Sequence, residues 1–195
     1  GMICLYGQTL NKYSRKGIFL DLSLAAGQPM GELSERFGLH QSIGGGISYQ
    51  PSRGLDIGLK YQFIFGNKVK EDVLFPYRTD FGQIIGVDNL LTTVNLRERG
   101  TIAYIYTGIL FPVGNQTRYR HGIKCNLGLG FMEHRIRIQD DSRSAEQFYA
   151  TDLGRGLDRL SNGFCSSVFL GYELKSFNGR INLYSGFEII GGWTQ

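Results

Sequence analysis

"GLDIGLKYQFIFG", residues 54–66, alternates two kinds of side chain with a period of two. One parity carries Leu, Ile, Tyr and Phe, and the other carries Asp56, Gly58, Lys60 and Gln62. A period of two indicates a β-strand, because successive side chains point to opposite faces of the pleat. In a soluble β-protein the apolar face lines a core, whereas in an outer-membrane barrel it faces lipid and the polar face lines the lumen. This stretch alone leaves both alternatives open.

Further segments share this alternation, and each is long enough to cross a bilayer as a tilted strand, which takes about 9–11 residues. The seven segments are residues 17–26, 40–50, 54–66, 100–111, 121–138, 163–175 and 180–192. Tight turns, such as the type I′ hairpin signal Asn178-Gly179, alternate with long loops at 27–39, 67–99 and 139–162. Short turns at one end and long loops at the other are typical of outer-membrane barrels.

The faces of these segments that lie opposite the apolar ones decide between a soluble β-protein and an outer-membrane barrel. If the apolar faces formed a soluble core, the surface would consist of exposed Gly, Ser and Tyr with few charges, which is a poor surface for a soluble β-protein. The sequence therefore predicts an all-β fold, an antiparallel up-and-down transmembrane β-barrel. Bacterial barrels have an even number of strands, so we expect eight, the eighth lying either beyond Gln195 or within residues 83–97.

The polar faces of the predicted strands carry charged side chains. An eight-stranded barrel has a lumen just wide enough to be filled by side chains, and the 28 glycines of the chain would let large and small residues alternate there. Burying charges is costly unless they pair, so we expect up to three acid–base contacts or water bridges. The predicted lumen network is Asp21, Asp56, Lys60, Lys124, Glu173 and Glu188. A filled lumen is favoured, with a narrow channel as the alternative.

The net charge of +4 comes from one end of the predicted barrel. The N-terminal lead and the short turns, on the periplasmic side, contain basic residues and no acidic ones. This basic periplasmic rim is Lys12, Arg15, Lys16, Arg53, Arg118, Arg120, Lys175 and Arg180. Such a rim suits anionic lipid headgroups or an acidic periplasmic partner. Nucleic acid is not an expected partner, because the chain has no recognition motif for it.

The chain begins with GMICLYGQTL, a short apolar run that ends in Gly7 followed by Gln8. This pattern is typical of the end of a signal peptide. We expect residues 1–7 to be a signal-peptide remnant, 8–16 an N-terminal lead and 17–195 the outer-membrane β-barrel. A tag remnant followed by a disordered arm is the alternative.

No catalytic residue, metal site or cofactor is expected, and the protein is not predicted to be an enzyme. His134 shares lumen parity with Ser167 and Cys165, an arrangement that could supply a base and a nucleophile. These side chains would point inward, out of reach of a lipid substrate. Cys125 and Cys165 lack the spacing of a zinc site and lie too far apart in the predicted barrel to form a disulfide.

The third long loop mixes charged and aromatic residues. Asp152, Arg155, Asp158 and Arg159 form a possible partner loop. They could bind a ligand or a partner protein, or they could fold the loop over the barrel mouth through their own ion pairs. The sequence leaves both interpretations open.

The chain resembles small outer-membrane β-barrel proteins of the Bacteroidota, similar in layout to the PorT-like and OmpA-type barrel families. The resemblance covers all seven segments and rests on the Gly7-Gln8 junction, the alternating strands and one longer stretch. That stretch is LDRLSNGFCSSVFLGYELKSFNGRINLYSGFEIIGGWTQ, residues 157–195, in which two aromatic strands flank an Asn-Gly turn. The resemblance implies an outer-membrane location, with membrane lipid and other envelope proteins as partners. It also implies a role as a structural or interaction subunit of a larger envelope complex for secretion or barrel assembly. A soluble, lipocalin-like ligand-binding barrel is a further alternative.

Overall fold

The computed structural model of the chain is all-β, with almost no helix. It describes residues 2–8, 17–52, 54–113, 120–140, 144–145, 148, 156–175 and 181–194. The described helices are α1 (Leu33–Arg36) and a single 3₁₀ turn at Phe75–Tyr77. Neither is long and apolar enough to cross a membrane.

Ten strands make up the rest of the regular structure. They are β1 (Met2–Gln8), β2 (Gly17–Gly27), β3 (His40–Ser52), β4 (Leu55–Gly66), β5 (Ile84–Ile85), β6 (Leu91–Thr92), β7 (Asn95–Pro112), β8 (Arg120–Gln139), β9 (Ser161–Lys175) and β10 (Ile181–Thr194). Each of the seven predicted segments corresponds to one of the longer strands, from β2 to β10.

The long strands form one curled antiparallel sheet in the order β1-β10-β9-β8-β7-β4-β3-β2. β1 pairs with β10 on one side and with β2 on the other, so the strand order closes on itself. All of β1 except Gln8 lies within the segment predicted to be a signal-peptide remnant, and whether that segment is cleaved stays a prediction. Residues 9–16 of the predicted lead lie outside the described residues.

The prediction that residues 83–97 hold an additional strand of the main sheet is wrong. β5 and β6 pair only with each other, in a separate two-stranded sheet. Asn89, in the turn between them, has the left-handed φ of 60° that such tight turns use. Residues from Asn95 onward already belong to β7.

The β7–β8 hairpin is longer than the rest of the sheet. β7 has 18 residues and β8 has 20, and their pairing extends to Asn95 opposite Gln139. The long loop was predicted to continue to residue 99, and so to include Arg97, Glu98 and Arg99. Those residues instead continue the ladder beyond the end of its neighbours.

The two faces of the curled sheet differ sharply in exposure. On the outside, Leu59, Leu127 and Leu170 are between 51% and 57% exposed. On the inside, Lys60 and Lys124 are 4% and 3% exposed. The remaining interior contains aromatic, aliphatic and small polar side chains, among them Phe19, Ser23, Ile64, Ile102, Tyr104, Tyr106, Met132, Phe169 and Tyr184.

The long loops fold into a second compact unit, which we call the loop cap. It consists of residues 28–39, 67–94, 144–145, 148 and 156–160 with the outer ends of β7 and β8, 95–99 and 135–139. Its core of buried side chains is Phe37, Val73, Leu74, Ile84, Val94, Ile136, Ala145 and Phe148. Most charged side chains of the cap are exposed, as in an ordinary soluble domain, whereas Glu98 is buried.

Candidate functional site

The interior of the curled sheet holds the largest group of buried charges in the described structure. All six residues of the predicted lumen network point inward, because each lies on the polar parity of its strand. Asp21, Asp56, Lys60, Lys124 and Glu173 are buried, and Glu188 is nearly so. They form two clusters at different heights.

The first cluster surrounds Lys124 on β8. Its Nζ lies 2.8 Å from Asp56 Oδ2 and 3.4 Å from Glu173 Oε2, and 5.2 Å from the ring centroid of Tyr184. Gly108 makes room for this arrangement, since a Cβ there would overlap the Asp56 carboxylate. One ammonium group therefore sits between two carboxylates, which gives the cluster a formal charge of −1.

The second cluster surrounds Glu188 on β10. Lys60 Nζ lies 3.4 Å from Glu188 Oε2, and Gln62 Nε2 donates a hydrogen bond to the same oxygen at 3.0 Å. The Tyr104 hydroxyl donates to Glu188 Oε1. Nearby, the Tyr106 hydroxyl donates to Asp21 Oδ2 at 3.3 Å. Each charge thus has a hydrogen-bonding or ionic partner in the interior, as burial requires.

A third cluster, at the loop end of the interior, was missed from the sequence. His40 Nδ1 and His134 Nδ1 lie 3.6 Å and 3.5 Å from the same oxygen, Glu98 Oε1. Glu98 and His134 are fully buried below Phe37 of the loop cap, whose ring centroid is 6.0 Å from that of His134. Gly100, Ile102 and Tyr104 lie on the inward parity of β7. Continuing this parity by two residues toward the N-terminus would have predicted that Glu98 also points inward.

The histidine that could have served as a catalytic base therefore faces Glu98. His134 shares the interior with Ser167 and Cys165, and all three are buried. Cys125 and Cys165 are both free thiols. Among the described residues, no group of three or more His, Cys, Asp and Glu side chains is arranged to hold a metal ion.

The basic periplasmic rim is described only in part. The register places Arg120 of β8 opposite Lys175 of β9, so these two cations lie at the same end of the sheet. The other six residues of the rim, Lys12, Arg15, Lys16, Arg53, Arg118 and Arg180, lie outside the described residues.

The predicted partner loop contributes to an open cleft of about 570 Å³ on the loop cap, lined by charged residues of three loops. Arg36 Nε pairs with Glu71 Oε2 at 2.8 Å, and Arg159 Nε lies 3.5 Å from Glu71 Oε1. Arg36 also donates to the Arg159 carbonyl oxygen at 2.8 Å. Asp158 accepts a hydrogen bond from the Ile136 amide through its carbonyl oxygen. Asp152 and Arg155 lie outside the described residues.

Comparison with known proteins returned no match to a family model, to a curated protein or to a solved structure. The resemblance to PorT-like and OmpA-type barrels therefore stays a prediction. The function has to be argued from the geometry of the interior, the outer face and the loop cap.

Proposed function

We propose that the chain is an eight-stranded transmembrane β-barrel of an outer membrane, with a filled lumen. The observation that carries this proposal is the inverted exposure of the curled sheet, with leucines outside and lysines inside. A sheet that turned this outer face to water would expose a continuous apolar belt, which soluble monomers avoid. In a bilayer the same belt is buried in hydrocarbon.

The height of the apolar belt supports this proposal. On β8 it runs from His121 to Phe131, eleven residues, whose ten steps span about 33 Å along the strand and about 25 Å when the strand is tilted by 40°. Aromatic pairs mark both ends, as in the girdles of outer-membrane barrels. His121 and Tyr172 lie at the turn end, with ring centroids 6.0 Å apart, and Phe131 and Phe164 at the loop end, 5.0 Å apart.

The paired charges favour a filled lumen over the alternative of a narrow channel. The ammonium groups of Lys60 and Lys124 each lie against a carboxylate, and tyrosine rings lie beside both. The loop cap begins directly beyond this interior, since Phe37 packs against His134. A soluble lipocalin-like barrel is disfavoured because its apolar residues would have to line the interior.

We further propose that the protein acts as an interaction subunit of a larger envelope complex, through the loop cap. The cap exposes large apolar side chains far from the apolar belt, with Phe75 76% and Phe81 88% exposed. Ile85, Val87, Leu90 and Leu91 of the β5–β6 hairpin are exposed as well. Exposed apolar clusters of this kind mark protein–protein contacts.

Refolding tests the membrane proposal. The urea-unfolded chain is diluted into lipid vesicles, into detergent micelles and into plain buffer, and β-structure and protease resistance are measured. We expect a folded, protease-resistant barrel with lipid or detergent and aggregation in buffer. A folded monomer in plain buffer would refute the proposal. Single-channel recording in planar bilayers tests the lumen, because steady conductance would favour the channel.

Pull-down from native membranes tests the interaction proposal. We expect wild-type protein to co-purify with a stoichiometric partner, and the Phe81→Ser/Leu90→Ser variant to lose it. Met30→Ser is the matched control, because Met30 is equally exposed on another loop of the cap. Isolation of the wild type as a lone monomer would contradict the subunit role.

A further inference from the structure

The outer ends of β7 and β8 carry four arginines on the outward face of the sheet. The register places Arg97 directly opposite Arg137, and Arg99 directly opposite Arg135. Residues at opposite positions of an antiparallel pair have Cβ atoms about 4.5–5.5 Å apart, and like charges there destabilise the pair. We call these four residues the arginine face.

The repulsion within the arginine face is not relieved by the described part of the chain. None of the four forms an ion pair with a described carboxylate, although Glu133 lies on the same face of β8. Arg99 donates a hydrogen bond to the Glu98 carbonyl oxygen at 2.8 Å, which leaves its charge uncompensated. Burial, followed by the charges of Arg137 and Arg97, lowers the pKa of Arg99 from its ordinary value.

The arginines cannot turn away from each other into the protein. The opposite face of the same hairpin carries Leu96, Ile136 and Ile138, which pack in the core of the loop cap. Alternation within each strand therefore holds the arginines outward. The described part of the chain therefore supplies no anion to these arginines, and an anion from the surroundings would relieve their repulsion.

The position of the arginine face indicates which anion. Arg135 lies four residues beyond Phe131 on the same side of β8, about 13 Å along the strand. Arg99 lies directly opposite Phe65, whose ring stacks on that of Phe63 with centroids 6.3 Å apart. The headgroup layer extends about 5–7 Å beyond the hydrocarbon, and arginine side chains reach such a distance by snorkelling. The guanidinium groups of Arg99 and Arg135, the pair nearer the apolar belt, therefore reach the level of lipid phosphates.

We propose that the arginine face binds the phosphate groups of a phosphorylated lipid in the outer leaflet. This inference rests on the membrane location proposed above. Each guanidinium presents a planar pair of donors that matches two phosphate oxygens, which an ammonium group does not. A phosphate between two opposed arginines converts a repulsive pair into two charge-assisted hydrogen-bonded contacts.

Lipid binding tests the proposal directly. The folded barrel in neutral detergent micelles is titrated with bisphosphorylated lipid A or with its dephosphorylated form, and bound lipid is counted by native mass spectrometry. We expect binding of the phosphorylated form only, and about thirtyfold weaker binding by the Arg99→Gln/Arg135→Gln variant, at about fivefold for each arginine removed. The matched control is Lys68→Gln/Lys70→Gln, which removes the same charge from another part of the loop cap and should bind as wild type.

Other results would overturn the proposal. If the arginine variant bound lipid A as tightly as wild type, or if dephosphorylated lipid A bound as tightly as the phosphorylated form, the arginine face would not be the binding site. Displacement of the lipid by equimolar inorganic phosphate would assign the site to a free anion instead. Without lipid A, the arginine variant should be at least as stable as wild type, because a repulsion has been removed, whereas a structural role predicts loss of stability. A barrel that inserts into vesicles but shows no lipid preference refutes only this inference, whereas failure to insert refutes the membrane proposal.

Discussion

The strands and the loop cap of this chain sort their side chains in opposite ways. In the curled sheet, Lys60 and Lys124 are buried while Leu127 is exposed. In the loop cap, Leu74 and Ile136 are fully buried while charged residues such as Glu32 and Lys70 are exposed. Each arrangement is stable only in its own surroundings, because apolar area gains free energy by leaving water and charges lose it. The chain thus contains two regions whose side chains are arranged in opposite ways.

The boundary between the two regions lies within single strands. On β8, Phe131 faces outward as part of the apolar belt, and Arg135, four residues later on the same face, belongs to the arginine face. On the inner face, Lys124 gives way to Ile136, which packs in the core of the loop cap. The polarity of the outer face therefore reverses over four residues, and that of the inner face changes over a longer stretch, between Lys124 and Ile136.

The largest effect is expected from removing the cation of the first interior cluster. Lys124→Met leaves Asp56 and Glu173 buried without their partner, which should lower the free energy of unfolding by about 3–5 kcal/mol. The measurement is urea unfolding of the protein in vesicles. The triple variant Lys124→Met/Asp56→Asn/Glu173→Gln removes the whole charged cluster and should recover most of the loss. If the single variant is as stable as wild type, the ion pairs of Lys124 do not contribute to the free energy of unfolding.

A charge on the apolar belt should have the next largest effect. Leu127→Arg places a cation near the middle of the belt, where it costs about 2–4 kcal/mol in a bilayer. The same change at Leu90, an exposed residue of the loop cap, should alter stability by less than about 0.5 kcal/mol. Equal and small effects at both positions would mean that both regions face water.

A cavity in the loop cap should weaken the cap and leave the barrel intact. Leu74→Ala removes a fully buried side chain and should favour cap opening by about 2–3 kcal/mol. We expect faster proteolysis within residues 67–94 but unchanged heat resistance of the barrel on semi-native gels. Leu90→Ala, at an exposed position, is the control. Loss of barrel heat resistance in Leu74→Ala would show that the two regions unfold together.

The smallest effect is expected from acidification, where the two regions meet. Burial lowers the pKa of His40 below its ordinary value of 6.5, against the opposing charge of Glu98. The unfolded chain then takes up a proton before the folded one, so stability should fall as the pH drops below about 6.5. Unfolding curves at pH 7.5 and 5.5 measure this loss, and His40→Gln should reduce it. A stability that rises on acidification would contradict the lowered pKa of His40.

The strands could be predicted from the sequence because alternation sets the direction of each side chain locally. Knowing the parity of Leu59 is enough to place Lys60 on the other face, and the structure places it inside. The loop cap could not be predicted in this way. Its core joins Phe37, Leu74, Ile84 and Ile136, which are far apart in the sequence and follow no common period.

The interior clusters were predictable in membership but not in pairing. Which lysine meets which carboxylate depends on register across several strands, and parity does not determine that. Glu98 was missed because the charged residues around it resemble a loop, although the ladder continues through them. The strand at the beginning of the chain was missed because a short apolar run is also typical of a secretion signal.

The strand order of the curled sheet has a kinetic consequence. Most paired strands of this sheet are consecutive in the chain, and between β4 and β7 only the β5–β6 hairpin intervenes. The exception is the pair of β1 and β10, which brings Met2 opposite Gly186. Neighbouring hairpins can form with little loss of chain entropy, whereas this seam must join distant ends. We therefore expect closure of the seam to be the slow step of folding, and until it forms the facing edges of β1 and β10 have no partner strand.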